Sequence, residues 1–204
     1  STEMEDRAPF KTLLGHALVK DENGKDMHKS WGNAIWFEDA AEKMGVDVMR
    51  WLYSGQNTEQ NLLFGYKKAD EVRKNLITLW NTYSFFTTYA IIDGINPESI
   101  NSINLNNKNY SNIDKWLISY VNIIIRDFDT YYKNYEIQKL INASSKFLDL
   151  LSNWYVRLNR RRFWKSDNDL DKKAAYTTLY YALLRYIKVM SPVIPFITEK
   201  IYSN

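Results

Sequence analysis

The chain has 204 residues, 45% of them hydrophobic and 25% charged, ample for a buried core and ordinary for a soluble fold. Cys is absent and His16 and His28 are the only imidazoles, which excludes disulfides and thiolate metal centres and leaves no metal site expected. A formal net charge of +3 suits a polyanionic partner without demanding one.

The first 55 residues hold five of the seven glycines and only short apolar runs. "LLGHALV" (13–19) reads as a strand. "KDENGKDMHKSWGN" (20–33) reads as a loop with turns at Asn23-Gly24 and Gly32-Asn33. "EDAAEKM" (38–44) predicts a short helix stopped by Gly45, and Asp47 is a plausible N-cap for the "VMRWLYSG" that follows.

From Tyr66 the period is helical. Ala69, Val72, Leu76, Leu79, Tyr83, Phe86 and Ala90 step by threes and fours along one face. The Asn-rich stretch 93–112 is a long connector. Ser111 and Asp114 form a possible capping box, followed by Leu117, Tyr120, Ile124, Phe128, Tyr131 and Tyr135 on one face. A third helix is expected from about Glu136 to Trp164, with Leu140, Phe147, Leu151, Tyr155 and Leu158 inward. A fourth is expected from about Leu170 to Met190, with Tyr176, Leu179, Leu183, Ile187 and Met190 inward. Ser191-Pro192 then predicts a last short helix, Ser at the N-cap and Pro at the first helical position. Four long amphipathic helices with mostly short joints make a bundle, so the fold class is mostly α, preceded by a small α/β segment. No apolar run approaches the ~18 residues of a membrane span. "STEMEDRAPF" carries no signal-peptide pattern, so a cytoplasmic protein without a membrane partner is expected.

A loop that grips phosphate needs a mobile backbone, an ammonium within reach, and hydroxyl or amide donors beside it. Gly24 and Gly32 offer the first, Lys29 the second and Ser30 the third. The arrangement is not a Walker loop, and on composition alone a charge-rich loop is ordinarily solvated surface. However, "GHALVKDENGKDMHKSWGN" resembles the stretch around the Lys-Met-Ser-Lys-Ser signature of class I aminoacyl-tRNA synthetases. "EKMGVDVMRWLYS" is similar to the helix beyond that signature. The resemblance implies that the loop closes over ATP, with its lysines stabilising charge that develops on the pyrophosphate. Met27, Lys29 and Ser30 match the signature, whereas Asp26 stands for its first lysine and His28 for its serine. Lys29 is accordingly the expected catalytic residue. Lys25, Met27, His28, Lys29 and Ser30 are the expected ATP-binding set, with Lys25 offsetting the Asp26 carboxylate.

"LSNWYVRLNRRRFW" (151–164) is the second informative stretch. With ~100° per residue, Phe147, Leu151, Trp154, Tyr155 and Leu158 share a stripe, and Arg157, Arg160, Arg161 and Trp164 share the opposite arc. Arg162 falls in the apolar stripe, so it is expected to be a packed, carboxylate-paired structural residue. The others read either as a solvated cationic face near a helix C-terminus or as a surface for a phosphate backbone and a stacked base. This stretch resembles the "SNWY-R-RRRFW" segment of the anticodon-binding domain of isoleucyl-tRNA synthetases. "LWNTYSFFTTYA" (79–90) and "AYTTLYYALL…MSPVIPFITEKIY" are similar to flanking helices of that domain.

The resemblance implies residues 1–60 as the end of a catalytic domain and 61–204 as a helical anticodon-binding domain. It makes Arg157, Arg160, Arg161 and Trp164 the tRNA-binding set. ATP, with Mg as its counterion, tRNA and isoleucine are the implied partners in a longer parent ligase. The chain is expected to be the back part of such an enzyme, inactive by itself. A free-standing tRNA- or RNA-binding module, or the matching piece of a valyl enzyme, remains the alternative.

Overall fold

A computed structural model describes residues 2–96, 100, 108–164 and 169–204. Half of the 93–112 connector (97–99 and 101–107), and residues 165–168, lie outside the described residues. Two-residue strands β1 (Val19–Lys20) and β2 (Leu62–Leu63) pair in parallel, with Val19 opposite Leu62 and Lys20 opposite Leu63. Between them lie helices α1 (Phe37–Met44) and α2 (Val46–Ser54). The bundle follows as α3 (Tyr66–Ile92), α4 (Asn112–Lys133), α5 (Ile137–Asp149), a π-helical stretch Leu150–Val156, α6 (Arg157–Trp164), α7 (Asp169–Met190) and α8 (Pro195–Tyr202). No helix among the described residues is long and apolar enough to cross a membrane.

One apolar core runs through both parts. Ala40 and Met44 of α1 and Trp51 of α2 join Leu79, Leu117, Phe128, Phe147, Tyr176 and Ile201 in it. The inward faces expected for α3 and α7 are observed: Ala69, Leu76 and Leu79 are buried on the first, and Tyr176, Leu179, Leu183, Ile187 and Met190 on the second. The capping box of α4 is also present. Ser111 Oγ accepts from the Asp114 N–H at 3.3 Å, and Asp114 Oδ2 accepts from the Ser111 N–H at 2.9 Å.

Five expectations need correction. "LLGHALV" is not a strand up to Val19, because β2 offers only two residues to pair with. Instead Ala17 N–H donates to the Thr58 carbonyl at 2.8 Å and Leu18 N–H to Asn61 Oδ1 at 3.0 Å, while Leu13, Leu14 and Leu18 are exposed. Tyr135 lies past the end of α4 with φ 59° and is exposed, not on its inner face.

Asp47 does not cap its own helix, for Gly45 (φ 87°) holds that position. The Asp47 carboxylate instead accepts from the N–H groups of Phe196 at 3.3 Å and Ile197 at 2.6 Å, capping α8 from another element. The last helix starts at Pro195, not Pro192. Ser191 Oγ donates back to the Lys188 carbonyl at 3.0 Å, and Pro195 takes the first-turn place where a missing N–H costs nothing.

The fifth correction concerns Leu158 and Trp154, which are 58% and 52% exposed rather than inward. The cause is the π-helical stretch just before α6. Its i→i+5 turns hold more residues than α turns, so the inward face lags behind the α phase. Burial passes instead through Leu151, Tyr155, Asn159 and Phe163, four residues apart. Asn159 is only 4% exposed, and its Nδ2 donates to the Tyr155 carbonyl at 2.8 Å.

Candidate functional site

Residues 21–33 fold back on themselves with little ladder structure. Asp21 N–H donates to the Lys25 carbonyl at 2.9 Å, and Gly24 N–H donates to the Asp21 carbonyl at 3.0 Å. Lys29–Trp31 then form a single 3₁₀ turn, which ends at Gly32 with φ 70°, a left-handed conformation that glycine adopts without a Cβ penalty. Both turns expected from the sequence are therefore present.

Side chains supply the remaining order. Asn33 Oδ1 accepts from the His28 N–H at 3.0 Å, and its Nδ2 donates to the Asp26 carbonyl and to Asp21 Oδ2, both at 2.9 Å. Asp21 Oδ1 accepts from the N–H groups of Asn23 and Lys25, each at 2.9 Å. The Asn33 side chain, followed by the Lys25 N–H, holds the Asp21 carboxyl below its ordinary value.

The expected phosphate-binding residues divide by exposure. Lys25, His28, Lys29 and Ser30 are exposed, while Met27 is half-buried and packs against the core as an anchor. Lys29 Nζ sits 4.4 Å from the centroid of the Trp36 ring, and the His28 ring meets Trp31 edge-on with centroids 4.2 Å apart. Asp26, which stands where the resemblance calls for a lysine, pairs with Lys20 Nζ at 3.3 Å, so its negative charge is already engaged. A cation over an exposed indole is held by only about 0.5–1 kcal/mol, little enough for Lys29 to leave Trp36 for an anion.

Asp21, Lys20, Asn33 and Trp36 were not picked out from the sequence. The available signal was the Asx residue at each end of the loop, since Asn and Asp side chains readily bond nearby backbone.

The loop is tied to the bundle next to Asp21. Glu22 Oε1 accepts from the Lys67 N–H at 2.7 Å, satisfying a free donor in the first turn of α3. Gly65, the N-cap of that helix, makes room for it: a Cβ there would lie 2.0 Å from Glu22 Cγ.

The basic segment divides as its position on the helix dictates. Arg157, Arg160 and Arg161 are exposed, and none has an ion pair among the described residues; Trp164 is exposed on the same helix. Arg162 turns inward as expected. Its Nη1 and Nη2 donate to Asp114 Oδ1 and Oδ2, each at 2.9 Å, and its Nε donates to Asp171 Oδ2 at 3.0 Å. Burial raises the Asp114 carboxyl, but hydrogen bonds from Arg162, Tyr155 and Ser111 outweigh it and hold the carboxyl below the usual range.

A cavity of about 750 Å³ lies between α3, α7 and α8, lined by Phe86, Ile91, Tyr180, Leu184 and Tyr202 among others. It contains none of the expected site residues. No group of three metal-ligating side chains occurs among the described residues.

Two family models match the chain. One, described as tRNA synthetases class I (I, L, M and V), matches residues 1–63; the other, the anticodon-binding domain of tRNA ligase, matches residues 114–204. Isoleucine–tRNA ligase of Bacteroides fragilis is 39% identical over 202 residues, covering 98% of this chain and 17% of that protein. The Porphyromonas gingivalis and Clostridium tetani ligases of the same name are also 39% identical, covering 96% and 100% of this chain. The chain thus spans about a fifth or less of the length of these relatives. Among solved structures, Mycobacterium tuberculosis methionyl-tRNA synthetase in complex with methionyl-adenylate aligns over 92% of this chain and 36% of its own. The TM-score is 0.72 at 18% identity. An Agrobacterium radiobacter LeuRS–tRNA–LeuAMS ternary complex aligns over 92% and 22%, with TM-score 0.68 at 15% identity. These two likenesses establish the shared fold.

Proposed function

We propose, for a chain that belongs to the class I tRNA synthetases, that it is the segment of an isoleucine–tRNA ligase joining the phosphate loop to the tRNA-binding bundle. The parent enzyme would use ATP, with Mg as its counterion, to activate isoleucine and transfer it to tRNA during cytoplasmic protein synthesis. Residues 1–60 would close the catalytic domain and 61–204 would hold the tRNA. One observation carries the reading: the clipped loop holds Lys25, Lys29 and Ser30 out to solvent, in a chain whose relatives over nearly its whole length are isoleucine–tRNA ligases.

In this reading Lys29 is the catalytic cation. As the isoleucine carboxylate attacks the α-phosphate of ATP, negative charge grows on the departing pyrophosphate. An ammonium already in place stabilises that charge more than it stabilises ground-state ATP. Lys25 and Ser30 add a second cation and a hydroxyl donor, the His28 ring adds a donor, and Met27 fixes the loop to the core. Arg157, Arg160 and Arg161 would meet the tRNA backbone, with Trp164 stacking on a base.

The test is Lys29→Ala in the full-length enzyme, followed by isoleucine-dependent pyrophosphate exchange. The rate should fall about 100- to 1,000-fold with isoleucine affinity nearly unchanged, because the contact belongs to the transition state. Normal exchange would refute the phosphate reading. The 204-residue chain alone should support no exchange.

A further inference from the structure

Asn33 uses both donors and its acceptor on the loop, and Asp21 uses both of its oxygens. Between them the two side chains hold the backbone of Asn23, Lys25, Asp26 and His28, on either side of Met27. The side chains that project from this held backbone, Lys25 and Lys29 with Ser30, are exposed. No regular ladder stabilises the loop beyond the single Lys20–Asp26 bridge. Beside the short turn bonds and the Met27 anchor, these two side chains supply the cross-links that hold its shape.

The chemistry at position 33 is specific. An Asp there would lose both donors and would set a carboxylate against Asp21 Oδ2; an Ala would release the His28 N–H and the Asp26 carbonyl together. We propose that Asn33 and Asp21 are positioning residues, which set where Lys29 stands when charge develops on the ATP phosphates. The proposal rests on the phosphate-loop reading above. It adds that the alignment of the lysine is built into the loop by an Asp–Asn clip, one neighbour away from the Glu22 that caps α3.

Displacing a reacting group by about 1 Å can cost roughly 100-fold in rate, so losing the clip should act on turnover more than on binding. In the full-length ligase, Asn33→Ala should lower the exchange rate constant about 10- to 100-fold, with KM for isoleucine unchanged. The same substitution in a Lys29→Ala background should cost little more, because the lysine it positions is already gone. Asn33→Asp should be impaired, and adding Asp21→Asn should recover part of the rate by restoring a donor opposite the new carboxylate. Thermal melts of each variant check that the fold is kept.

Equal losses with and without Lys29, or no recovery in the Asp21→Asn, Asn33→Asp pair, would overturn the positioning role while leaving the loop reading intact. A Lys29→Ala enzyme of normal activity would instead remove the reading on which this rests.

Discussion

Arg162 grips Asp114 with two parallel bonds, Nη1 to Oδ1 and Nη2 to Oδ2, both 2.9 Å, beneath an otherwise exposed run of arginines. Asp114 is fully buried and also accepts from the Tyr155 hydroxyl at 2.7 Å while completing the α4 capping box. A charge taken out of solvent is tolerated only when its partners are complete.

Removing one partner of such a pair costs about 3–5 kcal/mol, so Arg162→Ala should lower the unfolding midpoint strongly. Arg162→Lys should recover little of this, since an ammonium cannot reproduce the two-pronged geometry. The slope of tRNA affinity against salt should stay that of the parent. Urea melts of the isolated chain check the first two, and an unchanged midpoint in Arg162→Ala would refute them.

Acid should expose the same pair. The folded Asp114 carboxyl lies below its ordinary value of 3.8, so its stabilisation is present in full above that pH. It is lost as pH falls from about 4 through the lower folded value. In Asp114→Asn the acid limb of stability against pH should flatten in this window. A limb as steep as the parent's would assign acid unfolding to other carboxylates.

Asp47 caps α8 from a distance, so Asp47→Ala should cost about 0.5–2 kcal/mol although its own helix α2 loses no cap. Burial pushes the Asp47 carboxyl up, against the Ile197 and Phe196 bonds that lower it. A neutral acceptor is therefore a good substitute, and Asp47→Asn should lose less than Asp47→Ala. Amide exchange at Ile197 is the direct measure; unaltered protection in Asp47→Ala would show that the cap carries no weight.

The π-helical shift predicts opposite responses at neighbouring positions. Leu158→Ser, on the exposed side, should stay within about 0.5 kcal/mol of the parent. Phe163→Ala, at a fully buried ring packed on Phe85 and Tyr176, should cost about 3–5 kcal/mol. A large loss at Leu158 would restore the uninterrupted α phase.

On the exposed face of α6, neutralising Arg157, Arg160 or Arg161 should weaken tRNA binding by similar amounts and flatten its salt dependence, as fewer counterions are released. Trp164→Ala should cost about 1–3 kcal/mol of affinity through lost stacking, with little change in the melt. Parent-like slopes for all three arginine variants would reduce this arc to solvated surface.

Side-chain periodicity along α3 and α7, and the capping box of α4, were legible in the sequence because each is decided within a few turns of one helix. Arg162 was legible for the same reason, as a cation placed among apolar positions. The turns of the loop followed from Gly24 and Gly32, where local backbone preference is strong.

Relations between distant residues were decided only in the tertiary structure. Asp47 looked like a local cap because its sequence neighbours are helical, but the unsatisfied N–H groups it meets belong to residues 149 and 150 positions away. The strand at 13–19 failed because pairing needs a partner, and β2 supplies two residues. Leu158 and Trp154 turned outward because a few i→i+5 turns accumulate into a changed face, which a fixed angle per residue does not register. The sequence by itself therefore determined the long helices of the bundle and which residues carry charge or a hydroxyl in the loop. Folding decided which of those groups stay in solvent and which are consumed as partners, since a buried donor, acceptor or charge must be satisfied by whatever the chain brings beside it.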